Sequence, residues 1–171
     1  MLGILHTSPD LVANQETVIV SSDKDMRTLP GLLYNPDKIE LLKPEVITDR
    51  DAIKFLAMQA MMGDTADGYK GCPSVGVKKA EALVEPHMDA AMTSEDPFSY
   101  LFDIVLAPTF NANGCDSKYA LVQCQLARIA RREDIKVESD GEWTFTPWAP
   151  LSMRKHKRSS VSGKRMRRSK S

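Results

Sequence analysis

Cysteine is scarce in this chain and wrongly spaced for the two roles that would make it decisive. Cys72, Cys115 and Cys124 are odd in number and contain no Cys-x-x-Cys pair, which argues against both a zinc site and a disulfide framework. They read as reduced, structural thiols. Histidine is equally sparse, with three residues and no cluster. No apolar run is long enough to span a bilayer, and Leu2 to Leu5 is too short and lacks the basic flank of a secretory signal, so the expectation is a cytoplasmic protein without membrane contact. Acidic residues are missing altogether from Arg154 onward.

That last absence exposes a segregation hidden by the formal net charge of zero. All 23 Asp and Glu lie in residues 1–153, whereas nine of the 23 Lys and Arg lie beyond them, which leaves the body at a formal −9. A serine-rich basic tail without apolar periodicity cannot bury enough surface to fold. It could serve only as a solubilising tail, but cationic blocks usually find a polyanion, and nucleic acid is the leading candidate. With 171 residues, 42% of them hydrophobic, the chain suffices for one domain with a real core.

Residues 1–16 read as a helix end followed by a turn. Thr17 to Ser21 is a β-branched apolar run, expected to be a strand buried on both faces in a parallel sheet. At its C-terminal end stand Asp23 and Asp25, where ligand-binding residues of open α/β sheets collect. The alternative is a helix start with Ser22 as N-cap and Asp25 at the third helical position. Leu32 to Leu42, interrupted by Pro36, suggests a hairpin at a sheet edge. Thr48 offers an N-cap with Asp51 three residues on, before a helix with Ala52, Phe55, Leu56, Met58, Gln59 and Met62 at helical spacing. Its methionines read as core filler. Farther on, a helix is expected over Pro97–Leu106, a loop through Asn111–Gly114, and an amphipathic helix over Ser117–Arg132 whose arginines suit the negative helix end. Lys136–Trp148 suggests a short hairpin around Asp140-Gly141 whose two tryptophans cap a core.

The stretch Met61–Glu81, MMGDTADGYKGCPSVGVKKAE, organises the rest. Asp64 and Asp67 are three apart, so a helical turn or tight loop projects them to one side. Gly71-Cys72-Pro73-Ser74-Val75-Gly76 is a tight turn, and Val77, Ala80, Leu83 and Val84 resume a helical pattern. Such a junction turns backbone N–H groups outward at a helix start, a ready phosphate site, with Lys78 and Lys79 adding charge. Either acidic pair alone is compatible with a cap or a solvated helix end, and the glycines alone with an ordinary turn.

A strand-end DKD, a GDTADG and a phosphate-type hairpin in this order resemble the 5′ nuclease or flap endonuclease family, most closely the 5′-to-3′ exonucleases of T7-like phages. In that family SxDKD comes after a buried strand, GDxxDG after a helix, and a G-x-P-x-x-G-x-K hairpin next. The helix LVQCQLARIARRED and the closing TFTPW extend the likeness over roughly residues 1–150. The resemblance implies an α/β fold: residues 1–48 as the C-terminal part of a PIN-like nuclease core, 49–132 as a helical region with a helix-hairpin-helix motif, 133–150 as a short hairpin, and 151–171 as a disordered basic tail. It further implies two-metal hydrolysis of phosphodiester bonds, with Asp23, Asp25, Asp64 and Asp67 serving the second metal. Carboxylates this close repel, and a divalent ion relieves that. Oxygen-only ligands point to Mg2+ or Mn2+. DNA contacts are expected from Gly71, Ser74, Val75, Gly76, Val77, Lys78 and Lys79, and from Arg154, Lys155, Lys157 and Arg158 in the tail.

Two departures from the family matter. MLGILHTSPD resembles the residues just after the family's acidic EADD cluster; the first strand with its aspartate, the helical arch and that cluster have no counterpart here. The chain therefore reads as the second half of a nuclease acting on DNA 5′ ends, flaps or RNA primers, its remaining ligands supplied by a separate N-terminal chain or an upstream start. The alternatives are a non-catalytic DNA-binding module and a degenerate product that does not fold alone. The other departure is local: Cys72 and Ser74 stand where the family tends to have an aliphatic residue and glycine.

Overall fold

The computed structural model describes residues 2–8, 17–38, 43–137, 139 and 141–154. It is a mixed α/β chain in which a small sheet leads into a helical body. Strands β1 (Val18–Val20), β2 (Gly31–Tyr34) and β3 (Glu45–Ile47) form a sheet in that order, β1 parallel to β2 and β2 antiparallel to β3. The expected edge hairpin of Leu32–Pro36 with the segment up to Leu42 is replaced by a pairing of β2 with β3, which makes β2 the central strand; residues 39–42 lie outside the described residues. Nor is β1 buried on both faces. Ile19 is 5% exposed, while Val18 and Val20 are 43% and 58% exposed. The reason is that packing is one-sided: Ile19, Leu33 and Ile47 close against Leu29 and Ala52, and no described element covers the opposite face.

Helix α1 (Leu2–His6) is tied to the sheet by its last side chain: His6 pairs through one ring nitrogen with the Pro30 carbonyl at 2.7 Å and through the other with the Thr17 hydroxyl at 3.0 Å. Helix α2 (Asp49–Met62) starts at the expected capping box, Thr48 accepting from Asp51 N–H while the Asp51 carboxylate accepts from Thr48. Its buried side, with Ala52, Leu56, Gln59 and Ala60, forms the centre of the molecule. Met61 is fully buried, and Met58 and Met62 pack at the margin, as core filler should.

Helices α3 (Val77–Val84), α4 (Met88–Met92), α5 (Pro97–Leu101), α6 (Ala107–Ala112) and α7 (Ser117–Ala127) surround α2. A π-helical turn, Phe102–Leu106, joins α5 to α6 and carries helix through part of the expected loop. Pro108 supplies the cause, since it has no N–H to close an ordinary turn and the ladder widens before it. Helix α7 stops earlier than expected. Arg128 leaves it in extended conformation, its side chain buried in ion pairs with Glu133 and Asp134. Arg131 donates to the Thr28 carbonyl at 2.8 Å, tying this segment to the turn after β1, and Arg132 donates locally to the Ile135 carbonyl at 2.9 Å, so neither decorates a helix end.

Strands β4 (Ile135–Val137) and β5 (Trp143–Phe145) form the expected second hairpin; Asp140 lies outside the described residues. Only one tryptophan caps a core. Trp148 packs on Phe98 with ring centroids 4.5 Å apart and on Phe102 at 6.1 Å, whereas Trp143 is 67% exposed. The cysteines are unbonded, and burial pushes the thiols of Cys72 and Cys124 up.

Candidate metal centre

Three carboxylates from two separate segments come together. Asp25 comes from a 3-10 turn, Lys24–Thr28, placed after β1 and capped by Asp23, whose carboxylate accepts the Asp25 N–H at 2.9 Å. The cap is thus Asp23 rather than Ser22. Asp64 and Asp67 come from a tight loop, closed by a reciprocal backbone pair in which Asp64 N–H donates to Tyr69 at 2.8 Å and Tyr69 N–H to Asp64 at 3.0 Å. Asp64 also accepts Ala66 N–H at 2.9 Å. One ligand oxygen each from Asp25, Asp64 and Asp67 lies within 4.8 Å of the others. Asp23 is not part of that group.

The electrostatics are those of a crowded anionic site. Burial raises the Asp25 carboxyl above its ordinary value, and negative Asp23 and Asp67 push it further, against a stabilising bond donated by Gln59. The Lys24 ammonium rests on Asp64 and, with Ala66 N–H, holds that carboxyl below the usual range; Asp64 in turn raises Lys24. Beneath them the Tyr69 phenol is pushed up by burial and by the field of Asp25, Asp64 and Asp67. Its hydroxyl and the Gln59 amide oxygen are buried without a hydrogen-bond partner. An all-oxygen donor set with excess negative charge fits a hard divalent cation.

Lys24, Gln59 and Tyr69 were not among the sequence-derived site residues. Gln59 left a signal: it is a polar residue on the apolar stripe of α2, where a buried amide needs a partner. Tyr69 left none.

The acidic loop and the hairpin are parts of one unit. Gly63 and Gly71 sit back to back at φ 74° and 66°; a Cβ on Gly71 would lie 2.3 Å from Gly63 N, and one on Gly63 2.3 Å from the Lys70 carbonyl carbon. Cys72 N–H donates to Met61 at 2.7 Å, and Gly71 N–H donates to the buried amide of Gln123 on α7 at 2.8 Å. The chain then turns at Ser74, the only described non-glycine residue with positive φ, at 60°. Val75 is buried, and Gly76 caps α3 without a side chain, leaving Val77, Lys78 and Lys79 exposed at the helix start. Lys79 reaches back to the Ser74 carbonyl at 3.3 Å. Of the tail residues, Arg154 folds onto the body, pairing with Asp96 at 3.0 Å. Lys155, Lys157 and Arg158 lie outside the described residues.

Comparison with known proteins finds relatives named as exonucleases. The chain is 28% identical over 138 residues to a 5'-3' exonuclease of Buchnera aphidicola subsp. Schizaphis graminum, covering 74% of this chain and 47% of the relative. It is 24% identical over 168 residues to the exodeoxyribonuclease of Enterobacteria phage T3, covering 86% and 54% respectively. The exonuclease of Escherichia phage T7 aligns over 96 residues at 27% identity, 55% of this chain and 31% of that protein. The chain is a relative of the 5′ nuclease family. It spans about half the length, or less, of these curated relatives. No family model matches, and no solved structure gives a significant match. Among the described residues no helix is long and apolar enough to cross a membrane.

Proposed function

We propose that this chain is part of a 5′-to-3′ DNA exonuclease or flap-type nuclease, built as part of a PIN-like core joined to a helix-hairpin-helix region. The observation that carries this reading is the fusion, at the Gly63–Gly71 contact, of an all-carboxylate cluster to a helix start facing solvent with free backbone N–H groups. Asp25, Asp64 and Asp67 would hold a Mg2+ or Mn2+ ion, and Asp23 orients Asp25 through its backbone. When bound, divalent ions supply charge stabilisation for displacement at phosphorus. The chain's own contribution is placement. Backbone amides at Gly76 and Val77, with Lys78 and Lys79, hold a DNA phosphate, the Val75 N–H being already engaged with the Cys72 carbonyl at 3.3 Å, and the shared glycine junction fixes its distance from the carboxylates. Tyr69 and Gln59 shield the underside of the cluster from water.

Phosphodiester hydrolysis by this mechanism uses two ions, and one cluster is present among the described residues. The chain alone should therefore bind DNA without appreciable cleavage. Incubation of the purified chain with 5′-labelled duplex and flap DNA in Mg2+ tests this, with Asp64→Ala as control. Release of labelled nucleotides by the wild type and not by the control would show that the missing half is dispensable.

A further inference from the structure

We infer that Lys24 is a built-in competitor for the carboxylate cluster: its ammonium neutralises Asp64 and has to leave before a divalent ion can gather Asp25, Asp64 and Asp67. This rests on the cation-site reading of those three residues. One oxygen of Asp64, Oδ1, serves its own loop and accepts Ala66 N–H at 2.9 Å. The other, Oδ2, takes the Lys24 ammonium in an ion pair. The Asp64 side chain is 7% exposed and that of Lys24 62%, so the carboxylate is enclosed and the lysine reaches it from the solvent side. Among the described residues Lys24 pairs with Asp64 alone, while Asp25 and Asp67 add their attraction. A single ammonium thus answers to every member of the cluster.

An ammonium and a divalent ion at one carboxylate oxygen repel each other at contact distance, so the two occupancies exclude each other. Against a dissolved monovalent ion the ammonium has the advantage. Lys24 opens the 3-10 turn capped by Asp23, so the backbone delivers its charge beside the cluster at high effective concentration, and a monovalent ion brings no more charge than it displaces. A divalent ion brings twice that charge and draws on Asp25 and Asp67 as well. Lys24 thereby makes the cluster selective for divalent ions, at the expense of affinity. The ion binds only those molecules whose Asp64 has released Lys24, and its apparent affinity falls by that fraction; with the pair formed about nine-tenths of the time, the reduction is about tenfold.

Lys24→Met tests this through two measurements with opposite expected signs. Calorimetry with Mn2+ should show affinity about tenfold higher than that of the wild-type chain. Thermal melting in EDTA should show the variant melting lower than wild type, and in an Asp64→Asn background the same substitution should lower melting by less than half as much, because the pair is already lost. Arg27→Met removes the same charge from the same turn, but from a side chain paired with Glu45, and should change Mn2+ affinity by less than about threefold. A Lys24→Met chain whose Mn2+ affinity is unchanged or lower, an equal rise in Arg27→Met, or a melting effect undiminished by Asp64→Asn would each overturn the inference. The two readings stay distinguishable. If Mn2+ binds wild type and Lys24→Met alike, only the competitor role falls; if it binds neither, the cation site falls and the competitor role with it.

Discussion

The helical body and the sheet differ in how far their residues finish the structure they begin. Around α2 the apolar side chains close on each other: Leu56, Met61, Phe102 and Phe110 are all 1% exposed or less, and Trp148 seals the margin. The sheet, among the described residues, closes on one side only. Among the described residues the core around α2 is thus closed, while the sheet leaves the face that carries Val18, Val20 and Val46 open. The candidate site sits on the seam, Asp25 coming from the sheet side and Asp64 and Asp67 from the helical side.

Mutations can break or sharpen this contrast. The largest effect should come from the closed body: Phe102→Ala removes a buried ring and should cost about 3–5 kcal/mol in urea unfolding. Next is Gly71→Val, which forces a β-branched side chain into positive φ and into the Gly63 backbone; a loss of about 3 kcal/mol is expected, with displacement of the acidic loop. Ser74→Gly should act in the opposite direction and stabilise by about 1 kcal/mol, because it relieves a left-handed non-glycine residue. The smallest effect should be that of Val46→Lys on the chain alone, within about 0.5 kcal/mol by thermal melting. If Val46→Lys proved as damaging as Phe102→Ala, the sheet would be a finished element after all.

The seam should also be visible in pH dependence. The folded-state pKa of Asp25 lies above its unfolded value, so between the two the folded state binds more protons, and this residue's contribution to stability falls as pH rises through that window. Asp64 has the opposite sign: its contribution is present above the unfolded value and lost as pH falls through the depressed folded one. Melting from about pH 3 to pH 8 should show Asp25→Asn more stable than wild type at the upper end and Asp64→Asn less stable.

The sequence announced what local chemistry dictates. The Thr48–Asp51 capping box, the β-branched run of β1 and the glycine turn before α3 all stand where spacing placed them. It also singled out Asp25, Asp64 and Asp67, which the fold brings within 4.8 Å of one another. What escaped it depends on contacts between distant residues. β2 pairs with β3, farther along the chain than the spacing suggested, and α7 ends where Arg128 meets Asp134. Tyr69 reaches the site only because the Asp64 loop folds it underneath. Asp23 shows the limit from the other side: spacing alone cannot tell a carboxylate that joins a cluster from one that caps its neighbour.

Asp25, Asp64 and Asp67 are proposed as a divalent-cation site next to a phosphate-facing hairpin. Isothermal titration of Mn2+ into the purified chain tests it most directly. The expected result is saturable binding that Asp25→Asn with Asp67→Asn abolishes, while substitution of Asp103, a carboxylate outside the cluster, by Asn leaves it intact. Absence of saturable binding, or binding that survives the double substitution, would contradict it.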